Sequence, residues 1–305
     1  MLNVIAMADW LTRISLSCFA LSYLIALLLE ISRLFYRVSV RSIVIFTMML
    51  AGIFAHIIFL WDKFQSDFSG GTPLASWYDW CLVISLALSI TYTIVALQRV
   101  RHSVGIFFLP VILGLILFAV SIEDRQPFSA QERGDLWGMT HGISLLAGTA
   151  SMAIAFTTGL MYLVQASRLK RKLPPQAGFK LPSLEWLQVC NRRSLFLATG
   201  LIMIGLFSGI IMNMLFQNKL KNIVPWDDMV VISSSILLLW LIVVSVFEML
   251  YRPARQGRKI AYLTIASFLF LIMVLCFVIF GQHAETPVVA TLWPRVVYES
   301  ADDWL

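Results

Sequence analysis

Charged residues are scarce in this 305-residue chain: Asp, Glu, Lys and Arg make up 13% of it, whereas soluble domains contain about a quarter. So few charges cannot cover a water-facing surface, which argues against a soluble protein. Cysteine is also scarce, and none of the four cysteines forms a C-x-x-C pair. The sequence therefore indicates no disulfide framework, thioredoxin-like motif or covalent haem attachment motif. H-E-x-x-H, P-loop, G-x-S-x-G and EF-hand patterns are missing too, so no enzyme class is indicated.

Hydrophobic residues are abundant, at 59% of the chain, and the mean hydropathy is +0.84. A bilayer core about 30 Å thick is crossed by roughly 20 apolar residues in a helix, and the alternating pattern of an outer-membrane barrel is missing. The sequence predicts an all-α, polytopic transmembrane helical bundle in one integral membrane domain, 1–305. About eight spans are expected, at residues 10–31, 42–61, 77–97, 104–122, 139–165, 194–216, 229–251 and 260–280. A proline-containing polar linker, 167–193, follows the fifth span.

Lysine and arginine are distributed unevenly between the two sides of these spans. Sixteen of the 23 follow spans 1, 3, 5 and 7. The positive-inside rule therefore places those segments in the cytoplasm and both termini outside, in a bacterial-type cytoplasmic membrane. The first span lacks the basic flank of a cleavable signal peptide, so we keep it as a true span. The net charge of +6 is explained by topology, and a nucleic-acid partner is not expected.

Three of the four histidines are predicted near the outer face. His56 lies towards the end of span 2, His141 at the start of span 5 and His283 at the end of span 8. Because titratable residues in a span are costly and imidazole is a common axial ligand of haem iron, three histidines at similar depth indicate an outward-facing haem site. The alternative is that each is a helix-end residue bonded to a neighbouring carbonyl. His102 is expected to be a solvated loop residue.

Other polar and small residues support weaker expectations. Trp226, with Asp227 beside it, lies in the outer loop before span 7, where the indole could stack on a flat ligand or simply join the interfacial aromatic belt. Glycines of spans 5 and 6, including Gly205 and Gly209, are expected to allow close helix packing. Glu30 is expected to form a solvent-screened ion pair with Arg33.

From about Leu136 onward the chain resembles the cytochrome c assembly superfamily of haem-handling membrane proteins (the CcsA, CcmC and HemX group). LWGMTHGISLLAGTASMAIAFTTGLMYLVQASRLKRKLP is similar to the family helix that opens with a haem-ligand histidine. LPSLEWLQVCNRRSLFLATGLIMIGLFSGIIM resembles the next linker and span, and GRKIAYLTIASFLFLIMVLCFVIFGQH resembles the last span with its second ligand histidine. Only residues 225–228, Pro-Trp-Asp-Asp, remain of the family's tryptophan-rich stretch. With this reduced stretch the chain most resembles the shorter HemX-like branch of the family.

The resemblance implies a role in cytochrome c biogenesis, as a carrier or accessory subunit and not an enzyme. His141 and His283 would be the axial ligands of a non-covalent haem b, with Trp226 and Asp227 beside the porphyrin, and His56 resembles a histidine of the HemX-like members. Membrane lipid, cytochrome c maturation proteins and apocytochrome c are the implied partners. Two other hypotheses stay open: a regulatory subunit of haem synthesis without a cofactor, and a transporter of a small molecule.

Overall fold

The computed structural model describes residues 16–36, 40–69, 76–98, 102–122, 136–172, 179–216, 228–250 and 258–280. Within these ranges the chain forms eight α-helices and no strand. They are α1 (Leu16–Ser32), α2 (Arg41–Ser69), α3 (Trp77–Gln98), α4 (Gly105–Ser121), α5 (Leu136–Lys170), α6 (Leu184–Phe216), α7 (Met229–Leu250) and α8 (Arg258–Phe280).

Six of these helices, α2, α3 and α5 to α8, are long and apolar enough to cross a membrane. The other two, α1 and α4, are apolar but only 17 residues each, or about 26 Å, slightly less than a bilayer core. Large hydrophobic side chains lie exposed along the outside of the bundle, such as Leu28, Leu117 and Leu239. Since lipid is the solvent such a surface suits, the predicted fold class is confirmed: the protein is an integral membrane helical bundle.

The helices form two groups of four that meet at α5. In the first group α1 packs against α2 and α4, and α3 packs against the same two helices. In the second group α5 packs against α6 and α8, and α7 packs against the same two. Helix α5 also contacts α3 and α4, so it joins the second group to the first. The long linker in the sequence follows the fifth span, whereas the packing divides the helices after α4.

Helices α5 and α6 are longer than a membrane requires. They contain 35 and 33 residues, or about 50 Å each, and they pack along one another. Helix α6 begins at Leu184, ten residues before the predicted span. Part of the predicted linker is therefore helical, and Leu187 and Asn191 in it are buried. Hydropathy detected the apolar portion of this helix but not its polar first turns.

Candidate functional site

Two of the five predicted site residues, His56 and His141, lie in the described part of the chain. His283, Trp226 and Asp227 lie outside the described residues. Among the described residues, no three His, Cys, Asp or Glu side chains are grouped so that they could hold a metal ion. A haem iron needs only one or two protein ligands. A single histidine, without a group of three ligands, is therefore compatible with haem binding.

His141 lies in the second turn of α5, against α6. Its Nδ1 is 2.6 Å from the carbonyl oxygen of Gly205, and the ring is partly buried. A carbonyl oxygen can only accept a hydrogen bond, so Nδ1 carries the proton and donates it, and the lone pair of the neutral ring is on Nε2. The ring is thus held in one tautomer and one orientation by the backbone of the neighbouring helix.

This hydrogen bond fits both interpretations of His141. A helix-end histidine bonded to a nearby carbonyl was the structural alternative to a ligand, and such a bond is present. Metal-ligating histidines nearly always make the same bond, because donation from one ring nitrogen orients the ring and makes the other nitrogen more basic. The hydrogen bond on Nδ1 therefore fits a structural role and a ligand role equally, and in both the lone pair of the neutral ring is on Nε2.

Gly209 makes room for the His141 ring. A Cβ atom added at Gly209 would lie 2.7 Å from Nδ1 of His141 and 2.8 Å from its Cε1. Gly205, one turn earlier on α6, supplies the carbonyl that holds the same ring. The sequence identified these glycines as packing residues. It could not show that both contact His141, which lies 64 residues before Gly205 in the chain.

His56 is enclosed in the first helix group. Its side chain is 0% exposed, and its ring stacks on Phe19 of α1 with centroids 4.1 Å apart. Its Nδ1 shares a hydrogen bond of 3.3 Å with the hydroxyl of Tyr23, and its buried Nε2 has no hydrogen-bond partner. Phe19 and Tyr23 are one turn apart on α1, so they present one aromatic face to this histidine.

The two candidate ligand histidines in the described residues, His56 and His141, do not share a site. His56 contacts α1, whereas His141 contacts α6, and these helices belong to different groups. His56 is also seven residues, or about 10 Å, deeper than Lys63, whose Nζ pairs with Asp79 at 2.8 Å. The ring of His56 is fully enclosed, while that of His141 is partly exposed.

The predicted ion pair between Glu30 and Arg33 is present, but the Glu30 carboxylate is buried, so solvent does not screen the pair as expected. Glu30 is 3% exposed, and its Oε1 accepts a hydrogen bond of 3.2 Å from the Tyr92 hydroxyl. Arg33 lies 3.8 Å from Oε2 and also donates to the carbonyl oxygen of His102. His102 is partly buried and not simply solvated. The i, i+3 spacing of Glu30 and Arg33 can be read from the sequence, but the contact of Tyr92 from α3 with the Glu30 carboxylate cannot.

Asn191 falls in the predicted linker 167–193, yet it is a structural residue of the bundle. Its Nδ2 donates to the carbonyl oxygen of Ala155 on α5 at 2.7 Å, and its Oδ1 accepts from Thr264 on α8 at 3.1 Å. A Cβ atom at Gly159 would lie 2.9 Å from Nδ2. Asn191 therefore links α6 to α5 and α8 through hydrogen bonds. In the sequence, the only indication of this role is an uncharged amide immediately before two arginines.

Comparison of the chain with protein-family models, with curated proteins and with solved structures finds no match.

Proposed function

We propose that this protein is a haem-binding membrane protein that takes part in cytochrome c biogenesis, as a carrier or accessory subunit. The observation that carries the proposal is the His141 site: a partly exposed imidazole near the start of α5, with Nδ1 held by the Gly205 carbonyl. Added to this is the resemblance of the surrounding sequence to the helix that opens with a ligand histidine in haem-handling proteins.

In this proposal His141 would hold the haem iron through Nε2, and His283 would be the second iron ligand. Trp226 and Asp227, which lie outside the described residues, would be the residues beside the porphyrin. Haem b, when bound, would supply an iron centre that accepts two imidazole lone pairs and exchanges one electron. The chain's own part is to hold the His141 ring in one tautomer, which the Gly205 carbonyl does. His56 is left out of the ligand pair because its ring is fully enclosed.

The location and partners follow from the same proposal. Both termini would lie outside a bacterial-type cytoplasmic membrane, so the start of α5 would face the outer side, where cytochromes c receive haem. Cytochrome c maturation proteins, and apocytochrome c itself, would receive or attach the haem. The alternative of a regulatory subunit without a cofactor predicts that total haem changes when the gene is deleted.

The absorption spectrum of the purified protein tests the proposal. We expect a Soret band that is lost in a His141→Ala, His283→Ala double variant and retained in a His102→Ala variant, which removes a histidine from a different part of the chain. A preparation without a Soret band, or a band that the double variant leaves unchanged, would contradict haem binding. Deleting the gene then distinguishes a role in cytochrome c biogenesis from a role in regulating haem synthesis. Loss of covalent cytochrome c at constant total haem supports the first, whereas a fall in total haem supports the second.

A further inference from the structure

Contacts at two glycines of α6 fix how the antiparallel helices α5 and α6 are aligned. A Cβ atom at Gly209 would lie 2.7 Å from the ring of His141, and a Cβ atom at Gly205 would lie 2.6 Å from the side chain of Leu145. Four residues forward on α5 therefore correspond to four residues back on α6. Both helices continue for a further turn in the opposite direction, so the same alignment identifies the pair of residues there.

Trp137 of α5 and Asn213 of α6 are that pair, and both are half-buried. Trp137 precedes His141 by four residues, and Asn213 follows Gly209 by four, so they lie on the helix faces that meet at this histidine. Side chains on a helix lean towards its N-terminus, so His141 leans over the turn that contains Trp137. For the same reason Asn213 leans back over Gly209, which has no side chain to separate it from the histidine. An indole and an amide therefore lie beside the His141 ring.

The two helices offer only uncharged hydrogen-bond donors near this ring. Residues 136–167 of α5 and 194–216 of α6 contain no charged side chain. The nearby hydroxyls of Thr140 and Ser208 donate to carbonyl oxygens of their own helices. An amide has two N–H donors, so it can keep a contact between helices while it donates to a ligand. Of the side chains on these faces, Asn213 is therefore the one suited to hold an anionic group.

We propose that Trp137 and Asn213 belong to the His141 site and make it selective for a porphyrin with free carboxylates. The inference rests on the proposed haem binding. The Trp137 indole would lie against the porphyrin ring, since flat aromatic surfaces stack. The Asn213 amide would donate to a propionate, since hydrogen bonds to an ionised group are stronger than those between neutral groups. A porphyrin without carboxylates would keep the stacking contact and lose the charged hydrogen bond.

Binding of ferric haem and of its dimethyl ester to the purified, haem-free full-length protein tests the proposal, with the Soret absorbance as the signal. We expect Asn213→Leu to bind haem about tenfold more weakly than the wild type does, and the ester within about twofold, because esterification has already removed the charge that the amide contacts. The matched control is Gln188→Leu, which removes an amide about 37 Å away at the other end of α6. This control should bind both ligands as the wild type does.

A second pair of variants tests the stacking contact. Trp137→Leu should weaken the binding of haem and of the ester by the same factor, about fivefold, because the two ligands have the same ring. Trp137→Phe keeps a flat aromatic ring and should bind both ligands within about twofold of the wild type.

Two results would overturn this inference while leaving the proposed function intact. Equal weakening of haem and ester binding by Asn213→Leu would show that the amide only joins the helices. Wild-type affinity of Trp137→Leu for both ligands would place the indole outside the site. A wild-type protein that binds neither ligand would instead contradict the proposed function, and this inference with it.

Discussion

Replacing Gly209 by alanine should disturb the His141 site by adding a single methyl group to α6. The new Cβ would lie 2.7 Å from Nδ1 of His141, whereas ordinary van der Waals contact begins at 3.4 Å. The ring must therefore move by about 0.7 Å, the difference between these two distances, and the 2.6 Å hydrogen bond to Gly205 cannot survive that movement unchanged. Gly209→Ala is predicted to weaken the docking of α5 on α6.

The cost follows from two contributions. Overpacking a tight contact costs about 1–3 kcal/mol, and a lost hydrogen bond costs about 0.5–1.5 kcal/mol. The matched control is Gly200→Ala on the same helix, since a Cβ at Gly200 meets nothing within 4 Å. Both variants exchange glycine for alanine in a helix, so the change in helix propensity cancels between them. We expect Gly209→Ala to be less stable than Gly200→Ala by about 2–4 kcal/mol.

Unfolding in mixed micelles with increasing SDS, followed by circular dichroism, measures this difference. Nitrogen-15 NMR of the histidine rings supplies a second readout without haem: the wild type should show a His141 ring protonated on Nδ1, and Gly209→Ala should shift that signal. If the two variants unfold at the same SDS fraction and the His141 signal is unmoved, the close contact between Gly209 and His141 does not exist.

Two further predictions concern polar contacts. Asn191→Ala removes hydrogen bonds to α5 and α8 and should destabilise the second helix group by about 1–3 kcal/mol. The same SDS assay measures the loss, with a substitution of the exposed Gln98 by alanine as the control. Equal unfolding midpoints for the two variants would contradict the role of Asn191 in joining three helices. Asp79→Ala removes a reciprocal cap with Ser76 and the partner of Lys63 and should cost about 1–3 kcal/mol, detected as faster hydrogen exchange at the start of α3. Unchanged exchange there would show that the cap contributes nothing.

Hydropathy predicted the apolar parts of the helices well, because lipid exposure is a local property. The predicted span 77–97 corresponds closely to α3, Trp77–Gln98. The prediction stopped at residue 61, whereas α2 continues to Ser69. A helix does not end where charge begins, since Lys63 is stabilised by Asp79 of the next helix, and that partner is not visible in a sequence window.

The candidate site was predicted only in part for the same reason. The sequence placed His141 near a helix start, which depends on local pattern, and α5 does begin five residues earlier. It placed His56 at a similar depth facing outward, but the enclosure of His56 depends on the aromatic face of α1. The Gly205 carbonyl on His141 depends on how α5 and α6 are aligned. Hydrophobic periodicity identifies buried faces and does not fix the axial alignment of two helices.

The order in which the helices pack has a consequence for synthesis. Because a chain leaves the ribosome from its N-terminus, the contacts among α1 to α4 can form before α5 is made. The hydrogen bond between His141 and Gly205 needs only α5 and α6, whereas the bond between Asn191 and Thr264 must wait for α8. The histidine is thus oriented before α8 is made, and α8 then fixes the position of α5 and α6, which hold it.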